Sequence, residues 1–554
     1  TQPQGDMQTI TIDTTESTWS NLSVSEDGQA MVFDMLGDIY TMSIVGGEAT
    51  PLVQGFDWNM QPTYSPDGKT IAYISDRDGA SNLWVMDVNG GNPRQISKEK
   101  TALIHTPSWS PDGDYIAVTK GFMSSRSIPA GEIWMYHRSG GDGVMVTERA
   151  YEEHTQKNMT DPAFSPDGKY LYYTDDVTSG RIWEYGKNST TELFNIMRHD
   201  LETGESSSYI GGAGGAIVPT PSPDGKYMAY LKREDTKTVL YIKDLKSGVD
   251  RRLSTEMERD HQETFGSEGN FAYFDWTPDS QHIVYWTAGK FRRLNIDSLD
   301  VSLIPMHIKI EKKVQQSPRY LVDVAPDTFD VKMIRWASMS PTNGSVVYQA
   351  LGKLYLRDVK SGRVKRLTRQ NDHDEFYPSF SRDGKSIAYT TWNDKDLGSV
   401  KVVSANGGQG LTVTTEPGIY VEPKFSPKGN NIVFRRLTGG YLLSPEWSLE
   451  PGIYLADRKA KTMEKVTEDG FNAHFAADED RLYFTDYAPD SKYTELELYS
   501  VDLKGRDERT LLKGDKVTEY QLSPDGKWIG YTHQNNAFVA PFLSTGLQQE
   551  LDIE

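Results

Sequence analysis

The sequence predicts an all-β chain built as two tandem six-bladed-type β-propellers, the second lacking a blade. Three observations predict it. A turn of the form Ser/Thr-Pro-Asp-Gly recurs about eleven times, at intervals of about 40 to 60 residues. Each copy is flanked by short β-branched and aromatic runs that supply four hairpin-linked strands. Almost no window sustains helical periodicity. Four strands at a period of about 45 residues is the pattern of a propeller blade, as in WD-like repeats.

The clearest turn is Tyr64-Ser65-Pro66-Asp67-Gly68-Lys69. Pro66 fixes φ, Asp67 can bond its own backbone, and Gly68 supplies a positive φ. In chain order, residues 1–16 hold the alternating run Gln8-Thr9-Ile10-Thr11-Ile12-Asp13, a candidate strand to close either ring. The first propeller, 17–305, has turns at Ser25-Glu26-Asp27-Gly28, Ser65, Ser110-Pro111-Asp112-Gly113, Ser165-Pro166-Asp167-Gly168, Ser222-Pro223-Asp224-Gly225 and the degenerate Thr277-Pro278-Asp279-Ser280. Residues 306–330 lack this grammar, carry a Ser317-Pro318 break and read as the inter-propeller connection. The second propeller, 331–554, has turns at Ser340-Pro341, Ser381-Arg382-Asp383-Gly384, Ser426-Pro427, the weak Ala476-Ala477-Asp478-Glu479 and Ser523-Pro524-Asp525-Gly526. That is one repeat fewer than the first.

Within a repeat, a second strand such as Ile71-Ala72-Tyr73-Ile74 follows the turn, then a third such as Leu83-Trp84-Val85. A further turn (Asn89-Gly90-Gly91) and a short fourth strand (Arg94 to Ser97) end it. Insertions at Asp175 to Thr191, with Trp183 and Tyr185, and at Gly439 to Pro451, with Tyr441, Pro445 and Trp447, would cap a channel, dock a neighbour or fold onto their own ring. Another spans 253–272.

Composition narrows the function. A net charge of -20 argues against nucleic acid and anionic lipid as partners. No apolar run approaches the ~20 residues of a membrane span. With no cysteine, thiolate zinc sites and cysteine nucleophiles are excluded. There is no Gly-x-Ser-x-Gly elbow, no His-Glu-x-x-His, no His-x-His and no phosphate-binding loop, so no catalytic or metal-ligating residue is assigned.

Recognition chemistry is instead expected at the channel mouth, from residues just before the Pro-x-aromatic step of each innermost strand. In the first ring these are Asn21, Gln61, Thr106, Asp161, Val218 and Tyr273, with His105 adjacent. In the second they are Trp336, Tyr377, Glu422, Asn472 and Glu519, with His474 and the cluster His373, Asp374, Glu375 nearby. The bland alternative is that these groups bond one another and ordered water.

Several stretches carry a family resemblance: Val32 to Tyr40, Ile44 to Thr50, Asn82 to Asp87, Phe271 to Asp279, Leu351 to Tyr355, Glu375 to Ser379 and Phe538 to Phe542. The repeats resemble TolB-type propellers. They resemble more closely the N-terminal half of bacterial proteins that fuse such propellers to a metal-dependent amidohydrolase domain. The resemblance implies a non-catalytic propeller portion of an exported, periplasmic or secreted hydrolase, shaping substrate access or partner binding. It also implies a zinc-like divalent metal in a downstream domain. The start at Thr1 agrees with a removed export signal, or with a trimmed chain. The family's His-x-His ligands have no match here, so whether this chain is itself an enzyme stays open. Expected partners are that amidohydrolase domain or a separate catalytic chain, together with a peptide or protein ligand; the oligomeric state is open. Two other readings stand beside it: a stand-alone TolB-like binding module, and the gating propeller of a serine peptidase.

Overall fold

The computed structural model describes residues 5–124, 129–149, 155–183, 192–234, 237–262, 268–316, 319–320, 322–438, 450–459, 461–488, 495–514, 517–543 and 549–550. Tyr185, Ser317, Pro318, Tyr441, Pro445 and Trp447 lie outside them. The described residues form an all-β structure in two compact units that divide between Val322 and Asp323.

In the first unit, six four-stranded antiparallel sheets each run in chain order. Their innermost strands are Leu22–Val24, Asn59–Tyr64, Leu103–Trp109, Met159–Phe164, Ile217–Pro221 and Asp275–Trp276, which define sheets 1 to 6. The second strands are nearly all apolar and buried, as in Ile71 to Ile74, because neighbouring sheets cover both faces. The first and last sheets are tied directly: Asp275 accepts from the Val24 amide at 2.8 Å and the Ser23 hydroxyl at 3.0 Å. One core cluster accordingly runs from Leu22 and Phe33 to Tyr285 and Ile304.

The hairpin turns are self-satisfied. At Ser65, the Gly68 amide donates to the Ser65 carbonyl at 2.9 Å, and the Ser65 hydroxyl donates to Asp67 at 2.6 Å. That hydroxyl also accepts from the Thr70 amide at 3.0 Å. Gly68 sits at φ 64°, which explains the glycine there. The same serine–aspartate bond recurs at Ser110, Ser165, Ser222, Ser381 and Ser523.

The run at Gln8–Asp13 lies in strand Met7–Thr14, which pairs antiparallel with Met306–Gln315. Met306 and His307 pair in parallel with Gly47 and Glu48. The resulting three-stranded sheet is separate from the four-stranded ones. Its placement follows from side chains: Ile308 is buried, Ile310 packs on the same core, and Lys312 reaches the buried Asp38 at 2.8 Å.

The second unit has sheets 7 to 11, with innermost strands Arg335–Met339, Asp374–Phe380, Ile419–Phe425, Phe471–Phe475 and Val517–Leu522. Sheets 7 to 9 have four strands; sheet 10 gains Gln549–Glu550 as a parallel fifth, and sheet 11 has three. Consecutive sheets pack in order.

Candidate functional site

Most inner strands break register at one place. The ladder slips between Met60 and Thr63, His105 and Ser108, Thr160 and Ala163, and Ile217 and Thr220. It slips likewise between Arg335 and Ser338, Phe376 and Ser379, Val421 and Lys424, and Phe471 and His474. Each slip is a bulge whose first unpaired residue is left-handed: Gln61, Thr106, Asp161, Val218, Trp336, Tyr377, Glu422 and Asn472 have φ between 49° and 58°. In six of these eight the next residue is proline, which has no amide hydrogen to leave unpaired where the ladder is interrupted. The bulge turns the channel-mouth side chains inward, and its signal in the sequence was the repeated X-Pro step.

In the first unit these residues bond to one another around the axis. Asp34 accepts from the Asn21 amide and side chain, both at 2.8 Å, and from the Gln61 amide at 2.7 Å. Gln61 accepts from the Thr106 amide at 2.7 Å. Tyr273 donates its hydroxyl to Asp161 at 3.0 Å and its amide to Asn21 at 3.0 Å. The insertion before sheet 6 then covers this mouth. Gln61 donates to the Glu268 carbonyl at 2.6 Å, and Gly269 lies over Asp161 and Thr106, where a Cβ would come within 3.4 Å of each. Burial pushes the Asp34 and Asp161 carboxyls up to about 6 and pulls His105 down to about 3. The centre of the first mouth is therefore covered by its own chain, with His105 and Asp161 each 2 % exposed, and a cavity of about 380 Å³ remains beside it, lined by Met60, Leu103, His105 and Glu268 among others.

The second unit is arranged differently. Trp336 packs on Tyr377 with ring centroids 4.3 Å apart. Glu422 accepts from the Asn472 amide at 2.8 Å and faces Arg435 at 3.4 Å. A cavity of about 240 Å³ runs from the bulge side at Asn472 and Glu519 to the turn side at Arg382 and Pro524, with Lys424 and His474 on its wall. His474 is held neutral: Nδ1 faces the Asn472 carbonyl at 2.8 Å and Nε2 accepts from the Leu522 amide at 3.3 Å. Burial is the main reason its pKa falls to about 4. Arg382 stands where most repeats have proline, and its guanidinium donates to the carbonyls of Pro524, Phe475 and Ala476.

The structure brings His474, Glu519 and Asn472 together in this cavity, but not the cluster at residues 373–375. Glu375 is buried and accepts from the Leu354 amide at 2.8 Å and the Thr368 hydroxyl at 2.7 Å, which joins sheets 7 and 8. His373 lines a different cavity with Lys401 and Thr391, and exposed Asp374 pairs with Lys353 at 3.4 Å. Lys424 and Arg382 were not among the expected site residues. Arg382 was detectable as a departure from the turn consensus; Lys424 had no local signal. Among the described residues no three His, Asp or Glu side chains converge as metal ligands. The metal implied by the resemblance belongs to a downstream domain.

Residues 21–154 match a family model described as the TolB beta propeller domain. Over 161 residues the chain is 32 % identical to a Bacillus subtilis protein named "Uncharacterized peptidase YuxL", an alignment covering 24 % of each chain. The chain thus spans about a quarter of that relative's length. It is 25 % identical over 273 residues to an uncharacterized Agrobacterium fabrum protein, Atu1656, covering 47 % of this chain and 82 % of that one. Among solved structures, TolB from Acinetobacter baumannii aligns with a TM-score of 0.38 at 20 % identity, covering 52 % of this chain and 65 % of its own. The tricorn protease aligns at 0.39 and 12 % identity, covering 95 % of this chain and 61 % of its own.

Proposed function

We propose that this chain is the peptide- or protein-binding propeller portion of an exported hydrolase, periplasmic or secreted, and that it binds at the mouth of the second unit. The observation that carries the reading is the contrast between the mouths. In the first, Gln61 and Asp161 are bonded to the Glu268 to Tyr273 segment and the cavity that remains, about 380 Å³, lies between sheets 2 and 3; in the second, the cavity includes the bulge residue Asn472 and Glu519 and is flanked by aromatic and charged side chains. Crowded polar mouths of this kind suit an extended ligand that offers backbone donors and acceptors. The match of residues 21–154 to a TolB-type domain supports a binding role.

For the enzyme served, the resemblance favours a metal-dependent amidohydrolase acting on a C–N or similar bond. The peptidase named among the relatives favours the gating propeller of a serine peptidase as the second reading. Sequencing the reading frame past Glu554 separates them: a downstream His-x-His supports the first and a Gly-x-Ser-x-Gly the second. An immediate stop leaves a stand-alone binding module.

Binding itself is tested with a library of unstructured peptides. Retained peptides are expected to lose affinity at least about tenfold, ~1.4 kcal/mol, when Tyr377→Ala and Glu519→Gln are combined. Asp161→Asn is expected to leave binding unchanged. Retention that ignores the second-unit changes, or no retained peptide, overturns the proposal.

A further inference from the structure

Lys424 is the unusual cation of the second unit. It lies on strand Ile419–Phe425, two residues past the bulge at Glu422, and lines the 240 Å³ cavity. Lys424 is half-buried, and among the described residues no hydrogen bond or ion pair holds its ammonium. The neighbouring groups are already committed. Glu422 is engaged by Arg435 and the Asn472 amide, Arg382 by three carbonyls, and His474 by one acceptor and one donor. Glu519 is exposed to water. Withdrawal from water lowers the pKa of Lys424, and Glu422 and Glu519 only partly offset this. A half-buried ammonium that lines the cavity without a protein acceptor is available to an anion entering it, which would gain a charge-assisted bond.

The cavity also indicates what kind of anion. Beside Lys424 its walls are Phe380, Phe425, Phe475, Tyr520 and Leu522. A volume of 240 Å³ equals roughly eight waters at ~30 Å³ each. The cavity is open on one side and has room for the side chain and carboxylate of one residue. A terminal residue presents a carboxylate and an apolar side chain together; an internal Asp or Glu offers the carboxylate without the apolar group. We propose that Lys424 receives the C-terminal carboxylate of a bound peptide, with the terminal side chain seated among the aromatic rings. This rests on the peptide-binding reading above and names the part of the peptide that is recognised.

The test uses the full chain and two probes, N-acetyl-L-phenylalanine and its C-terminal amide, followed by lysine-selective ¹³Cε NMR. The acid is expected to shift the Lys424 signal and raise its titration midpoint, and the amide to bind at least about tenfold more weakly. Lys424→Met is expected to abolish acid binding while its thermal midpoint is no lower than that of the parent, because the change removes a charge without a partner. Equal binding of acid and amide overturns the carboxylate assignment, as does undiminished acid binding by Lys424→Met or a Lys424 signal that does not move. Equal binding of the two probes leaves the wider peptide reading standing. Acid seated on Lys424, with the peptide library unbound, removes the peptide reading and keeps the anion site.

Discussion

The first mouth shows how much one carboxylate depends on what converges on it. Asp34 and Asp161 are both buried and both pushed up to about 6, yet their surroundings differ. Three N–H groups point at Asp34, so Asp34→Asn places an amide donor against donors and is expected to cost ~1–3 kcal/mol. Asp161 accepts the Tyr273 hydroxyl, a bond that an asparagine oxygen can also accept. Its folded pKa lies above the ordinary 3.8, so the folded chain holds the proton more tightly. That stabilisation is complete below pH 3.8 and lost as pH rises through about 6. Asp161→Asn should therefore gain on the parent between pH 4 and 7.5, by up to ~3 kcal/mol at ~1.4 kcal/mol per unit. His105 works the other way: pulled down to about 3, it withdraws stability as pH falls below 6.5. The variant-minus-parent difference in unfolding free energy isolates the aspartate, and a difference that is flat with pH would refute its protonation near 6.

At the scale of elements, the strands and turns were legible because each repeat writes its own local chemistry: serine, proline, aspartate and glycine before a β-branched run. The bulges were legible only indirectly, as X-Pro pairs such as Gln61-Pro62 and Tyr377-Pro378. The closure of the first mouth by Glu268 to Tyr273 was hidden, since Gln61 and Glu268 are joined by a contact 207 residues apart in sequence. The same holds for Lys424, whose isolation depends on sheets 8 to 11 converging. Departures from the repeat consensus carry information about such contacts, and two of them predict opposite responses. Glu26 and Arg382 both stand where most turns have proline. No described side-chain hydrogen bond involves Glu26, so Glu26→Pro should stabilise the first unit by ~0.4–1 kcal/mol through the unfolded chain. Arg382→Pro restores the same consensus but removes charged bonds to three carbonyls, so it should destabilise the second unit by about 3 kcal/mol. Denaturation midpoints of the two variants check the pair; equal effects would mean that Arg382 bears no load in the fold.

At the scale of the whole molecule, the two units differ in how their ends are covered. In the first, Asp275 returns the last sheet to the first, and the aromatics before the turns of sheets 3, 4 and 6 are buried, as at Trp109 and Trp276, 8 % and 3 % exposed. In the second, the equivalent residue of sheet 7 is Met339, 60 % exposed, and the outer strand of sheet 11 leaves Val539 70 % exposed. Apolar area left in water contributes nothing to folding, at about 25 cal/mol per Å² forgone. The second unit should therefore melt first, giving two calorimetric transitions in the full chain. Each transition can be assigned by a substitution already tied to one unit. Asp275→Ala removes the sheet 1–sheet 6 bonds and should lower only the upper transition; Arg382→Pro should lower only the lower one. An apolar dye should bind across the lower transition and below it, where Met339 and Val539 are already open, and gain little at the upper. A single transition shifted by both substitutions would show that the exposed flanks of sheets 7 and 11 do not set the stability of the second unit.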